Sequence, residues 1–267
     1  MSEDKLHIMR HSMAHIMAAA VQRLWPDAKF GVGPTVEDGF YYDIDLGDTK
    51  ISEANFGKIE KAMREIINYG DNFEKSEVPI DEAIKWAKDN NQPYKLELLN
   101  DLKRSGTTSA SDIDKDELGV ATDGEAAVSS VTFYKNGKFT DLCRGPHLET
   151  TKDAGVFKLM RVAGAYWRGK ETNPQMQRIY GVAFETQEDL DQYLKRVELA
   201  KQNDHKKLGR EMELFFFDQT APGMAYWLPK GFAMKNLLTR YWRQYHKAKG
   251  YNEFSGPLMS KKELYET

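Results

Sequence analysis

The 267-residue chain has a single cysteine, Cys143, so no internal disulfide can form and a disulfide-stapled fold is excluded. A lone thiol suits a reducing compartment, and the cytoplasm is the expected location. No apolar run approaches the roughly 20 residues that a membrane-crossing helix needs, and Met1 leads into a charged stretch without the apolar segment of a secretory signal. No membrane partner is expected. Positive charge is not in excess: 38 Lys and Arg stand against 41 Asp and Glu, a net charge of -3. That excludes nucleic-acid binding through overall charge but leaves room for a local basic face. No internal repeat is present, and the length suffices for one large domain or two ordinary ones.

What is there is a clear apolar pattern. Met9, Met13, Ile16, Met17, Ala20 and Leu24 recur at helical spacing, predicting a helix over residues 3–25 that Pro26 ends. Lys29 to Gly33 and Gly39 to Asp45 read as strands joined by a Gly-Pro turn, and in the second Phe40, Tyr42 and Ile44 alternate with Tyr41, Asp43 and Asp45. Ser52 is placed to cap a helix with the stripe Phe56, Ile59, Met63, Ile66 and Ile67, stopping at Gly70. A strand over residues 73–78 and a short helix over 81–88 follow, the latter closed by Asn90, Asn91, Gln92 and Pro93. Residues 103–127 are rich in Ser, Thr, Gly and Asp and read as a long mobile surface insertion. Asn136-Gly137 predicts a hairpin between residues 128–135 and 138–142, and strands are expected again over 156–162 and 178–184. The class this implies is α+β, helices packed on a mainly antiparallel sheet. From Gln187 to Arg210 the chain turns mostly charged, which reads as a solvated linker helix at a domain boundary.

Two polar motifs carry the chemistry. His7, His11 and His15 stand at four-residue steps, which lines them along one helix face. Far along the chain, C-R-G-P-H sets Cys143 and His147 just past the end of the expected hairpin. Two such pairs converging would make either a tetrahedral zinc site or a metal-free hydrolytic site built from the same residue types.

The segments R-H-S-M-A-H, G-F-Y-Y-D, P-Y-K-L, D-L-C-R-G-P-H, A-G-A-Y-W-R-G and Q-R-I-Y-G, in that order, resemble the editing domain of bacterial-type threonyl-tRNA synthetases. E-L-F-F-F, A-P-G-M and the stretch running to Pro257 resemble the opening of that family's class II catalytic domain, including the motif that forms its dimer interface. The resemblance implies an editing domain over 1–185, a linker helix over 186–209, and the N-terminal part of the catalytic domain over 210–267. The family places a small ubiquitin-like domain before the first motif, absent here, and residues 103–127 are longer than the family pattern. The later class II motifs and the zinc ligands for threonine recognition lie past Thr267. Aminoacylation is therefore not expected from this chain alone; ATP, Mg and one catalytic-domain Zn belong to the full-length enzyme, as does a homodimer, and editing uses no cofactor.

The implied reaction has a physical rationale. Serine lacks one methyl of threonine, a difference worth only about 1–3 kcal/mol in a binding pocket, so serine is loaded in error and a second site must remove it. Ester hydrolysis there needs a positioned water, a proton acceptor and oxyanion donors. The partner is the acceptor end of tRNA(Thr) carrying serine. His11 is the first candidate base or water-positioner, His15 orients the substrate, and Cys143 and His147 complete the catalytic set. No acyl-enzyme on Cys143 is implied. Asp141 is a candidate to hold the serine ammonium or fix a histidine tautomer. Lys95 matches a family residue facing the terminal adenosine, and Tyr42 and Gly33 are candidates for shaping the amino-acid pocket. His7 is read as a bystander, and the Tyr166-Trp167-Arg168 segment as packing with an exposed guanidinium. Two rivals stand beside this reading: a zinc-dependent, alanyl-type editing hydrolase on the same four residues, and an inert tRNA-binding module using Lys195, Arg196, Lys201, Lys206, Lys207 and Arg210.

Overall fold

The computed structural model describes residues 3–105 and 128–256. The expected mobile insertion falls almost wholly on residues 106–127, outside the described residues, as does the helix expected at the end of the chain. In chain order the elements are α1 (Glu3–Leu24), β1 (Lys29–Phe30), β2 (Thr35–Val36), β3 (Gly39–Asp45), α2 (Phe56–Tyr69), β4 (Phe73–Pro79), α3 (Ile80–Asp89), α4 (Pro93–Ser105), β5 (Ser130–Asn136), β6 (Phe139–Leu142), β7 (Val156–Tyr166) and β8 (Gln175–Phe184). They are followed by α5 (Gln187–Gln202), α6 (His205–Glu211), β9 (Phe215–Phe217), β10 (Ala225–Trp227) and α7 (Pro229–Ala248). The class is α+β with antiparallel sheets throughout. Two compact units are formed, Met1–Tyr193 and Leu194–Thr267, so the division falls inside α5.

The first unit has two sheets and two apolar cores. Its larger sheet runs β1-β3-β8-β7, with β2 folding back on the start of β3. The alternation of β3 turns Phe40, Tyr42 and Ile44 inward, where all three are buried against Met9, Met13, Ile16 and Met17 of α1 and Ile59 and Met63 of α2. Leu24, at the end of the α1 stripe, is exposed instead. Gly70 ends α2 with φ 80°, a left-handed C-cap that glycine adopts without a Cβ penalty. The smaller sheet, β4-β5-β6, packs with α3 and α4 around Ala83, Leu98, Leu99, Leu102, Val131 and Phe133.

Several elements differ from the sequence expectation for identifiable reasons. α4 starts on Pro93 at its first turn, where a missing N–H costs nothing, and extends through residues read as the start of the insertion. The first-strand expectation shortens to β1, although Gly31 and Val32 still exchange backbone hydrogen bonds with Asp43. The β5–β6 hairpin forms, but Asn136 pairs with Phe139, so the two turn residues are Gly137 and Lys138. Gly137 alone takes positive φ (57°), the pattern of a type II′ turn, in which glycine stands first. Instead of one helix over 186–209, α5 ends at Gln202 and Asp204 caps a new helix, α6, its carboxylate accepting from the Lys206 and Lys207 amides.

Candidate active site

α1 supplies one half of the site. His11 and His15 lie one turn apart with ring centroids 5.3 Å apart, and both are buried. The other half is the loop that leaves β6. Its Gly145 takes φ 76°, and a Cβ there would collide with the Tyr134 hydroxyl, so the sequence must carry glycine for the loop to turn back. The Gly145-Pro146 peptide is cis. This path brings the His147 ring to 4.3 Å from His11 and 4.2 Å from His15, between centroids. Phe73 stacks on His147 at 5.0 Å and Tyr134 meets it edge-on at 4.5 Å, so aromatic packing fixes the imidazole plane.

Cys143 sits between the two halves. Its Sγ lies 3.3 Å from His11 Nε2 and 3.2 Å from His147 Nε2, and it accepts from the Gly145 amide at 3.3 Å. One potential ligand atom from each of His11, His15, Cys143 and His147 lies within 4.8 Å of every other. The convergence expected of the two motifs is therefore present. His7 stands apart on the exposed surface, its ring 6.5 Å from His11 and its Nδ1 3.1 Å from Thr35 Oγ1.

Burial sets the protonation states. His11 is pushed down to about 4, mainly by loss of hydration and next by the nearby His7. Burial likewise holds His15 and His147 well below the usual imidazole range, with neighbouring imidazoles adding to the effect. All three are neutral at pH 7 and able to accept a proton.

Behind the histidines lies a second polar cluster. Lys95 is buried, with Nζ 2.5 Å from Asp141 Oδ1 and 3.3 Å from the Tyr42 hydroxyl. The Tyr42 hydroxyl donates to Asp141 Oδ2, and His15 Nε2 lies 3.8 Å from the same oxygen. Desolvation first and Asp141 second raise Tyr42 well above the usual phenol range, keeping it a donor. Lys95 is thus no solvated charge. A cavity of about 160 Å³, lined by Gln22, Phe30, Gln92 and Thr140 among others, reaches Lys95 and Asp141. Gly33 passes directly over the Tyr42 ring, where a Cβ would overlap ring carbons.

One expectation is corrected. Arg168 does not present a free guanidinium: its side chain is nearly buried and pairs with Glu97 at 3.1 Å and Asp101 at 2.6 Å. The sequence reading also missed Ser12. Its hydroxyl lies within hydrogen-bond distance of the Ile8 carbonyl, the Leu148 amide and His147 Nδ1. Its position beside His11 in a buried helix turn was the available signal.

Residues 131–180 match the family described as threonyl and alanyl tRNA synthetase second additional domain. The first unit therefore carries an accessory domain of the aminoacyl-tRNA synthetase class. The whole chain is a homologue of the threonine–tRNA ligases. It is 43% identical to that of Acetivibrio thermocellus over 96% of its own length and 36% of the relative's. For the Clostridium acetobutylicum enzyme the identity is 43% over 98% and 38%, and for that of a Nocardioides species 45% over 100% and 40%. The chain thus spans about four-tenths of the length of the curated relatives it matches. No helix among the described residues is long and apolar enough to cross a membrane.

Proposed function

We propose that the first unit is an editing hydrolase that cleaves the ester between serine and the terminal ribose of mischarged tRNA(Thr), by attack of water. The observation that supports this is the convergence of His11, His15, Cys143 and His147 on one buried point beside the Lys95–Asp141–Tyr42 cluster. A neutral His11 takes the proton of the attacking water, and His15, Cys143 and His147 hold water and ester in place. Asp141 attracts the serine ammonium, Lys95 directs positive charge toward the ester, and the Tyr42 hydroxyl, which donates to Asp141, holds that carboxylate in place. Gly33 and Tyr42 bound the amino-acid pocket, and threonine is excluded by its extra methyl. In this reading residues 1–185 edit, 186–209 link, and 210–267 open a class II catalytic domain. The full-length enzyme is a cytoplasmic homodimer that uses ATP, Mg and Zn to charge tRNA(Thr). The test is deacylation of Ser-tRNA(Thr) by His11→Ala and Cys143→Ala variants. A loss of about 10²–10⁴-fold for His11→Ala is expected; an unchanged rate in both overturns the assignment.

A second reading is favoured by one observation: His15 Nδ1 is buried without a hydrogen-bond partner, in a cluster whose donor atoms suit a metal ion. Tetrahedral zinc bonds of about 2.0–2.3 Å separate ligands by about 3.3–3.8 Å, so His11, His15, Cys143 and His147 fit with slight contraction. Bound zinc would supply Lewis acidity. Four protein ligands, however, leave no open position for water, which is the mark of a structural site. Metal analysis of protein purified without added zinc separates the readings, since stoichiometric metal contradicts the metal-free one.

A further inference from the structure

We propose that Ser12 is a positioning residue for this hydrolysis: its hydroxyl holds the His147 proton on Nδ1, so that Nε2 turns a bare lone pair toward Cys143 and the centre of the cluster. The inference rests on the editing reading for its functional consequence, but its structural content stands on hydrogen-bond stoichiometry alone.

Ser12 is fully buried in the middle of α1, one residue after His11. A serine hydroxyl has one proton and two lone pairs. Its oxygen has three partners here. The Ile8 carbonyl, at 2.9 Å, can only accept, and so takes the hydroxyl proton. The Leu148 amide, at 2.9 Å, can only donate, and so occupies one lone pair. The second lone pair faces His147 Nδ1 at 3.1 Å, and is satisfied only if that nitrogen carries a proton.

A neutral imidazole has a single N–H. With the proton on Nδ1, Nε2 is an acceptor, 3.2 Å from Cys143 Sγ. The thiol proton then points to Nε2, while the sulfur accepts from the Gly145 amide. The opposite tautomer would make Ser12 give its proton to Nδ1 and forfeit the bond to Ile8. One arrangement satisfies all three contacts of the Ser12 hydroxyl, and it presents His147 as an acceptor at the reacting centre. The same hydroxyl ties the Leu148 amide to α1, so one side chain fixes both the path of the loop and the proton on its histidine. Second-layer partners that set an imidazole tautomer act in this way at metal sites, and the physics carries over to any acceptor role.

Long-range proton–nitrogen NMR of the full chain, without substrate and at neutral pH, reads the tautomer directly. The expected result is a protonated Nδ1 and an acceptor Nε2 on His147. Ser12→Ala should move the proton to Nε2 in a substantial fraction of molecules and lower kcat for Ser-tRNA(Thr) deacylation by about 10–100-fold, with KM changed less. A wild-type His147 protonated on Nε2 overturns the proposal, and does so even if the variant fails to fold. So does a folded Ser12→Ala protein that keeps the Nδ1–H form. If the tautomer is as stated but wild-type protein deacylates nothing, it is the editing reading that fails.

Discussion

The His11 imidazole is neutral because its surroundings cannot hydrate a cation, and this fixes how the site responds to acid. With its pKa near 4, deacylation kcat/KM should stay level as pH falls through 6.5 and be half lost near pH 4. A loss centred near 6.5, read from single-turnover rates across pH, would contradict the assignment of His11 as the base. Lys95 presents the reverse problem, a cation kept in the interior by Asp141 and Tyr42. Lys95→Met leaves the Asp141 charge buried beside a hydroxyl donor only, and should cost about 3–5 kcal/mol in urea unfolding. Adding Asp141→Leu should recover most of that; if the double variant is no better than the single, the ion pair is not what holds this cluster. His11, His15, Cys143 and His147 were legible as a group because helical spacing and a short loop bring each pair together locally. Lys95 was singled out only through the family resemblance, since nothing in P-Y-K-L itself announces that α4 turns it inward against a strand 46 residues away.

Among the elements, the loop from β6 to His147 determines the site, because it must reverse within Gly145 and Pro146 to return an imidazole to Cys143. Gly145→Ala meets two obstacles, a positive φ and the Tyr134 hydroxyl, whereas Gly47→Ala meets only the first, having open space around it. Gly145→Ala should therefore destabilise by about 1–3 kcal/mol and depress deacylation, while Gly47→Ala costs about 1 kcal/mol and leaves activity intact. Equal effects on activity would remove the loop from the account. Helices and strands with strong periodicity, α1, α2 and β3, were readable from apolar spacing because each buries one face. The break between α5 and α6 and the true turn at Gly137-Lys138 were not, since charged helices show no burial pattern and one-residue register depends on the partner strand.

For the molecule as a whole, three neutral histidines in one core make stability sensitive to mild acid. Their folded pKa values lie below the unfolded value of about 6.5, so the unfolded chain binds more protons as pH falls. The stabilisation is complete above about pH 6.5 and drains away as pH drops through the folded values, by up to about 1.4 kcal/mol per pH unit for each histidine. Urea midpoints measured from pH 8 to 4.5 should be flat at first and then decline, and His15→Phe should shallow the decline. A curve flat to pH 4.5 would show that the imidazoles are hydrated. The change to charged composition puts the sequence boundary at residues 186–209, whereas the compact units divide between Tyr193 and Leu194, inside a continuous helix, where composition gives no signal.

Editing by the first unit requires one discrimination. Purified protein should be mixed with Ser-tRNA(Thr) and, separately, Thr-tRNA(Thr), and ester loss followed under single-turnover conditions. The proposed editing function predicts rapid loss of serine and retention of threonine, with a rate ratio of at least about 10, the low end for one methyl in a pocket. Equal rates for the two, or no hydrolysis of either, would contradict an editing site and leave the first unit as a tRNA-binding module with an inert pocket.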